Sequence, residues 1–479
     1  MMKSELKLQQ RNVIQTHKKP SPIIAIQNLT WKPARISNDK IYDIWVEFDF
    51  TAKNGAKRAY ITLKPLKYAN LPANIFPYEN DRQISINLYG VKNGAIKVRF
   101  NNLKGGREYN IKVELYDLKG KGVKKEIKTT YIREYENLAK QLKTIVMTPY
   151  YLWYRKDLSN WRDGHKYMPL LGEYRSNDPI VMSKHIDWAT GHGIKCFMVS
   201  WSGLSDDNQY FDNNLKLLFN NPLINDIKIS LLYESTVLKT TGNPEAPWEK
   251  DLSDPENQKK LLTHFEYLSR NYFIRSQFFR LNSEPFIYLY DSAAYIGNVK
   301  DTITHIREQV KSIIKEDIFL VSDHAQIIPI TSNDPYWNYW FENAKQFDGI
   351  TSWLGEYSGN GEYLGGSYEK QAELLYSKWS AWAKKNNKVL IPYITPEFDD
   401  RYVNWGNPNS IPLERTPEKF KKRLEIALKH CDPIHKIIFV GTWNDFFEST
   451  TLESSKEYGF TYLRILKESL IRFENIGNR

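Results

Sequence analysis

The sequence predicts an α/β protein: a (β/α)8 TIM barrel preceded by a smaller all-β sandwich domain. Three observations carry that prediction. Apolar and polar residues alternate in short runs from Pro22 to about Arg133. From Thr144 onward, eight apolar runs alternate with longer amphipathic stretches. Nearly all of those eight runs end in acidic or aromatic residues. At 479 residues the chain also exceeds what a single hydrophobic core usually serves, which argues for two domains.

Residues 1–20 are polar and read as a disordered tail. Residues 21–133 read as the sandwich. Seven runs with a period of two (IAIQNLTW, YDIWVEFDFTA, AYITLKPL, QISINLYGV, AIKVRF, YNIKVELYDL, VKKEIKTTYI) are separated by turn signals such as Lys53-Asn54-Gly55 and Lys92-Asn93-Gly94. The run LKGGREYNIKVELYDLKGKG resembles the late hairpin of a fibronectin type III or immunoglobulin-like domain, with Tyr109 in the place of that family's recurring tyrosine. The expected role is that of an accessory module, with carbohydrate binding as the second reading. Residues 134–144 read as a connector.

Residues 145–479 read as the barrel. Its apolar runs are TIVMTPYYLWY (144–154), IKCFMVSWSG (194–203), IKISLLYE (227–234), EPFIYLYDS (284–292), DIFLVSDHA (317–325), FDGITSWLG (347–355), KVLIPYITPEFDD (388–400) and KIIFVGTWNDFFE (436–448). Helix-like stretches such as DPIVMSKHIDWATGHG and TPEKFKKRLEIALKH lie between them. Eight strands separated by helices is the count of a barrel. A doubly wound sheet is the alternative, but the Gly-rich phosphate loop that would mark one is missing.

Composition narrows the function. The aromatic content is high at 14%, and flat rings in surplus serve cores or stack on sugars and bases. The net charge is +11, yet Lys is spread among Glu and Asp, and the one basic cluster, Lys119–Lys125, reads as a hairpin turn. Nucleic-acid binding is therefore not expected. No apolar run is long enough to span a membrane, and MMKSELKLQQRNVIQTHKK lacks the apolar core of a signal peptide. The expectation is a cytoplasmic location for the chain as written, or an extracellular one if it is a trimmed piece. Cys196 and Cys431 read as small buried hydrophobes, and no ligand spacing suggests a metal or another cofactor.

The most informative stretch is Lys436–Glu453, KIIFVGTWNDFFESTTLE. A buried strand gives way at once to Trp443, Asn444, Asp445, two Phe and Glu448. Two carboxylates three residues apart among aromatics are costly to desolvate unless they have partners or work. A helix-capping or ion-paired loop is the plainer reading. The other strand ends repeat the design, however: Tyr150, Tyr151 and Trp153; Trp201; Tyr233 and Glu234; Tyr290 and Asp291; Asp323 and His324; Trp353; Glu397, Asp399 and Asp400. In a barrel these ends ring one mouth, and acids with aromatic rings there suit a sugar.

With these residues in hand, Ile145–Leu466 resembles glycoside hydrolase family 99, the endo-α-mannosidases, and their family 99-like relatives in polysaccharide gene clusters. TPYYLWY, Trp161 and PLLGEYRSNDPIVMSKHIDWATGHGIKCFMVSWSG resemble the family's Tyr-Tyr-x-Trp-Tyr…Ser-Trp block. LLYE places Glu234 at its third-strand acid, FIYLYDS is similar to its Tyr-Asp-Ser strand, and TPEFDDR resembles its Pro-Gly-Tyr-Asp-Asp-Arg. TWNDFFESTTLES resembles its Asn-Glu-Trp-His-Glu-Gly-Thr motif.

The resemblance implies that Glu448 is the general acid/base and that Asp445 is the base on the sugar 2-hydroxyl, giving a 1,2-anhydro sugar and net retention. Candidate substrate contacts are Tyr150, Tyr151, Trp153, Trp201, Glu234, Tyr290, Asp291, Asp399, Asp400, Trp443 and Asn444. The expected substrate is an α-linked mannoside-like oligo- or polysaccharide. Asp445 replaces the family's Glu, Phe446 and Phe447 replace Trp-His, Ser449 replaces Gly, and Glu397 stands at a Gly.

Glu234 reads either as a hydroxyl-binding or ion-paired group or as the second carboxylate of a two-carboxylate scheme. The Asp399–Arg401 turn reads as a hydroxyl clamp or a salt bridge. His185 and His192 read as structural. The rival readings are a non-hydrolytic sugar-binding or glycosyltransferase-like assembly protein and, third, a polyanion-binding barrel.

Overall fold

The structure is a computed structural model that describes residues 23–37, 41–76, 79–155, 157, 159–205, 209–326, 335–353 and 367–476. The tail expected at residues 1–20 lies outside the described residues.

The all-β domain is one five-stranded antiparallel sheet: β1 (Ile24–Ser37), β2 (Ile41–Pro65), β3 (Arg82–Lys104), β4 (Tyr109–Asp117) and β5 (Gly122–Lys128). The seven expected runs form these five strands because two of the expected turns lie inside strands. β2 pairs along both halves with β3, while β1 takes the first half of its other edge and β4 the second. Register shifts between Thr51 and Arg58 mark the bend, with Gly55 at φ +79°. Buried positions are even before it (Ile44, Val46, Phe48, Phe50) and odd after it (Ala59, Ile61, Leu63), so both halves face one core. Tyr109 is buried, and its hydroxyl donates to the Lys104 carbonyl five residues upstream at 2.6 Å, as a tyrosine corner does. Lys119 and Lys121 sit in the β4–β5 hairpin turn, where Asp117 Oδ1 accepts both backbone N–H groups.

The connector is locked to the barrel by buried polar groups. Asp187 accepts from the Tyr131 hydroxyl at 3.1 Å and from the Tyr135 N–H at 3.1 Å. The fully buried Lys184 reaches Glu134 at 3.3 Å.

The barrel strands are β6 (Ile145–Tyr150), β7 (Ile194–Trp201), β8 (Lys228–Glu234), β9 (Glu284–Tyr290), β10 (Phe319–Ser322), β11 (Gly349–Ile350), β12 (Val389–Leu390), β13 (Tyr393–Ile394) and β14 (Ile437–Val440). All pair in parallel. β12 pairs with β11 and β13 with β14, so the two are one strand broken at Pro392, which has no N–H to give the ladder. That strand closes the ring, making the eight-membered barrel.

Around it pack α1 (Pro179–Gly191), α2 (Gln209–Phe219), α3 (Pro255–Leu268), α4 (Val299–Ile314), α5 (Pro335–Ala344), α6 (Tyr368–Asn386), α7 (Pro417–His430) and α8 (Thr461–Ile476). Three of these begin alike: Asp178, Asp254 and Thr416 cap them with side-chain oxygens, each followed by Pro at the first helical position.

Each strand divides its side chains by parity. Cys196, Met198, Leu232, Tyr288 and Phe439 fill the barrel interior. Phe197, Val199, Leu231, Leu289 and Ile438 belong to the layer between sheet and helices. Both cysteines are free and buried.

Candidate active site

The same parity decides which strand ends reach the mouth. Along β8, Leu232 faces the interior, so Glu234, two residues on, follows it over the top layer. Glu234 is in register with Tyr290 on β9. It accepts the Ser200 hydroxyl of β7 at 2.7 Å. Tyr290 meets Trp353 edge-on at 5.3 Å between ring centroids, and Trp353 lies 5.0 Å from Tyr393. Tyr151 stacks on Trp153 at 3.9 Å, and Trp153 approaches Phe447 at 5.6 Å. Aromatic rings thus line the mouth from β6 through β9 to β13.

The carboxylate pair is carried by the loop after β14. Thr442 donates its N–H to the Thr450 carbonyl at 3.1 Å, and Leu452 returns its own to Thr442 at 2.8 Å, pinching the loop at its neck. Inside the loop, Thr442 Oγ1 accepts the Asp445 N–H at 2.9 Å. Asp445 Oδ1 then accepts the N–H groups of Phe447 and Glu448, both at 3.0 Å. The Glu448 carbonyl accepts the Asp399 N–H at 2.8 Å, tying the loop to the preceding strand's end. Ser449 has φ +62°, in the left-handed region that glycine enters at least cost.

Electrostatics separate the acids. Burial raises Asp445 to about 6, with the two backbone N–H groups pulling the other way. Burial first, and then the charges of Asp445, Asp400 and Glu234, lift Glu448 well above the carboxylate range. Burial raises Glu234 to about 7, opposed by the Ser200 hydroxyl and helped by Asp291 and Asp445. Neither Glu448 nor Glu234 is sealed off: both keep some exposure on the mouth side. Among the described residues, no Lys or Arg forms an ion pair with Asp445, Glu448 or Glu234. The site therefore holds one carboxyl protonated beside another that ionises near neutrality, an acid/base pair set by environment.

The expected contacts fall into three groups. Tyr151, Trp153, Glu234, Tyr290, Asp445 and Glu448 gather at the mouth. Asp400 joins them: its charge acts on Glu448, and its Oδ1 is buried without a partner among the described residues.

Tyr150, Trp201 and Trp443 require correction. Parity turns Tyr150 and Trp201 outward, and Trp443, past the end of β14 where strand parity no longer applies, packs into the same helix-facing layer. Tyr150 bonds His185 at 3.0 Å, Trp201 donates to Asp212 at 3.2 Å, and Trp443 packs on His185 and Phe197. Tyr233, beside Glu234, likewise faces out and bonds His264 at 2.8 Å.

A third group holds the mouth in place. The Asn444 side chain accepts from the Tyr151 N–H at 2.8 Å and donates to the Tyr151 carbonyl at 2.9 Å, so it positions that ring's backbone. Asp399 is gripped by Arg401 through two bonds (2.8 and 2.9 Å) and by Lys166 at 2.8 Å. Burial works against its charge, but Arg401 and Lys166 prevail and hold it below its usual value. The turn is thus a salt bridge. Glu397 shares Lys166 at 2.6 Å. Asp291 is ion-paired with Lys250 and stands at the edge of the mouth, within reach of Glu234. Asp323 accepts the N–H groups of Asp291 (2.6 Å) and Ala293 (2.8 Å), and His324 faces outward to Ser322 at 3.0 Å. His185 meets Glu453 at 3.3 Å and Tyr150 on its other nitrogen, a buried structural relay.

Two mouth residues escaped the sequence reading, Ser200 and Tyr393. Each lies at the parity of an interior residue (Met198, Ile391), and that spacing is the signal that finds them.

Several solved structures share this architecture. A glycoside hydrolase-like protein superposes with a TM-score of 0.56 at 18% identity, covering 68% of this chain and 94% of its own. The GH99 endo-α-mannosidase from Bacteroides thetaiotaomicron, in complex with bis-tris-propane, superposes with a TM-score of 0.52 at 19% identity, covering 70% of this chain and 98% of its own. At such identities the likeness establishes the fold. No curated protein matches the sequence. The family model described as Glycosyltransferase WbsX matches residues 164–466, more than half of the chain, and the protein belongs to that family.

Proposed function

We propose that this protein is a retaining glycoside hydrolase acting on α-linked mannoside-like oligo- or polysaccharides. The observation that carries the reading is the pairing of a Glu448 kept protonated with an Asp445 that ionises near neutral pH, in a mouth walled by Tyr151, Trp153, Tyr290 and Trp353.

In the first step Glu448 gives its proton to the departing glycosidic oxygen. Asp445 takes the proton of the sugar 2-hydroxyl, and that oxygen attacks its own anomeric carbon, closing a 1,2-anhydro ring. In the second step Glu448, now a carboxylate, takes a proton from water. The water oxygen opens the ring at the anomeric carbon, and Asp445 returns its proton to the 2-oxygen. Two inversions give retention. One short loop supplies both acids, which suits a nucleophile that belongs to the substrate. Glu234 serves a sugar hydroxyl; its use as a second catalytic carboxylate facing Glu448 is the competing assignment within the same site.

Asp445, Glu448 and Glu234 lack cationic partners among the described residues, while Lys166, Arg401 and Arg415 are drawn to Glu397 and Asp399 and Lys250 to Asp291. That charge pattern argues against a polyanion. The all-β domain enters the proposal as an accessory unit, with Lys184 of the barrel donating to its Ile75 carbonyl at 3.5 Å and lying over its Phe76 ring.

A second reading has a specific ground: the family model's description is that of a glycosyltransferase. In that case a sugar hydroxyl replaces water in the second step and the protein assembles a glycan. Incubation with α-linked manno- and gluco-oligosaccharides tests the choice. New reducing ends support hydrolysis, products longer than the substrate support transfer, and binding without either supports a non-catalytic role.

A further inference from the structure

Beside the mouth lies a separate cavity of about 320 Å³ lined in part by Asp291, whose charge also acts on Glu234. Its wall carries Trp248, Tyr339 and Trp340, with Asp291, Asn343 and Gln326 among the polar groups. Trp248 is 58% exposed and Tyr339 39%, so both rings offer a face to a ligand in the cavity.

The cavity is built, not incidental. The ammonium of Lys250, itself buried, holds both the Trp248 carbonyl at 2.8 Å and the Asp291 carboxylate. The loop bearing Trp248 is thereby anchored to the strand end that borders the mouth. Two of the lining residues, Tyr295 and Ile296, pair in parallel with Lys250–Asp251. The Tyr295 hydroxyl meets Ser235, the residue after Glu234, at 2.5 Å, and the Tyr295 carbonyl accepts from Asn343 at 3.2 Å.

We propose that this cavity is a second carbohydrate subsite that binds a neutral pyranose unit of the same glycan away from the reacting bond. Aromatic faces meet the apolar side of a pyranose, and carboxylate and amide groups meet its hydroxyls. The Asp291 charge is already matched by Lys250, so a neutral sugar fits better than a charged one. The site would make the enzyme prefer an extended chain over a short glycoside, and the inference rests on the reading of the mouth as a glycan-processing site.

The test uses the full-length Glu448→Gln protein, to prevent turnover, titrated calorimetrically with α-linked manno- and gluco-oligosaccharides from di- to hexasaccharide. Affinity is expected to rise with length, and Trp248→Ala or Tyr339→Ala in that background should remove about tenfold of the gain seen with the longer chains. Thermal melts establish that the two variants are folded, as the exposure of both rings predicts. Equal length dependence with and without Trp248 and Tyr339, or none in the parent, overturns the subsite while leaving the mouth's reading intact. Failure of Glu448→Gln to bind either series, together with no processing of them by the wild type, overturns both.

Discussion

The Oδ1 atom of Asp445 accepts the backbone N–H of Glu448 at 3.0 Å, so the carboxylate of one residue fixes the main chain from which the other acid projects. The pair cannot drift apart without breaking the turn. The same bond, with its twin from Phe447, partly offsets the cost of burying Asp445 as an anion, whereas the Glu448 carboxyl has no hydrogen-bond partner among the described residues and keeps its proton. The asymmetry between acid and base is therefore written into one turn.

Removing the proton donor should stop the chemistry and spare binding. Glu448→Gln is expected to lower kcat on glycosides with poor leaving groups by ~10²–10⁴-fold, with substrate affinity little changed. Steady-state kinetics beside calorimetric binding measures both.

The pH profile follows from the two directions. Asp445 must be ionised to act as base, so kcat/KM should rise as pH passes about 6. Glu448 must be protonated, so activity should fall at higher pH as its raised value is crossed. The profile is bell-shaped, and its rising limb should vanish from the residual activity of Asp445→Asn.

Glu234 should cost stability at alkaline pH. Its value is raised to about 7 in the folded protein, so folding favours its protonated form. Stability then declines as pH climbs from the ordinary carboxylate range through about 7, because the folded state must give up a proton that the unfolded state has already lost. Glu234→Gln should therefore raise Tm more at pH 8 than at pH 5, a comparison that scanning calorimetry makes directly.

The neighbours Asp399 and Asp400 should separate cleanly. Asp399 is buried between Arg401 and Lys166, and because Lys166 keeps Glu397 while Arg401 is a third exposed, Asp399→Asn should lower stability by roughly 1–2 kcal/mol through the one cation it leaves unmatched. Asp400→Asn should change Tm little and raise KM. Denaturant melts with kinetics on both variants distinguish the roles.

Much of this was legible in the sequence because buried strands and strand-end acids are local features. Eight apolar runs predicted the closed barrel, and Lys436–Glu453 displayed the acid pair. Which residues face the mouth was less plain, since adjacent strand-end residues such as Tyr150 and Tyr151, or Tyr233 and Glu234, differ only in parity. Counting back from interior residues separates them. The Asp399–Arg401 salt bridge was one of two readings the sequence allowed, but the part of Lys166 was illegible, since it reaches Asp399 across 233 positions of sequence, a contact that only the folded barrel creates. In the all-β domain, turn-like Lys53-Asn54-Gly55 lies within a bent strand because β3 pairs across the bend on both sides.

The most direct test of the central claim is the stereochemical course of cleavage, followed by proton NMR on the first product of an α-linked manno-oligosaccharide with the wild-type enzyme and Glu448→Gln side by side. The account predicts an initial α-anomer from the wild type and a nearly silent variant. An initial β-anomer, or wild-type turnover by Glu448→Gln, would contradict it.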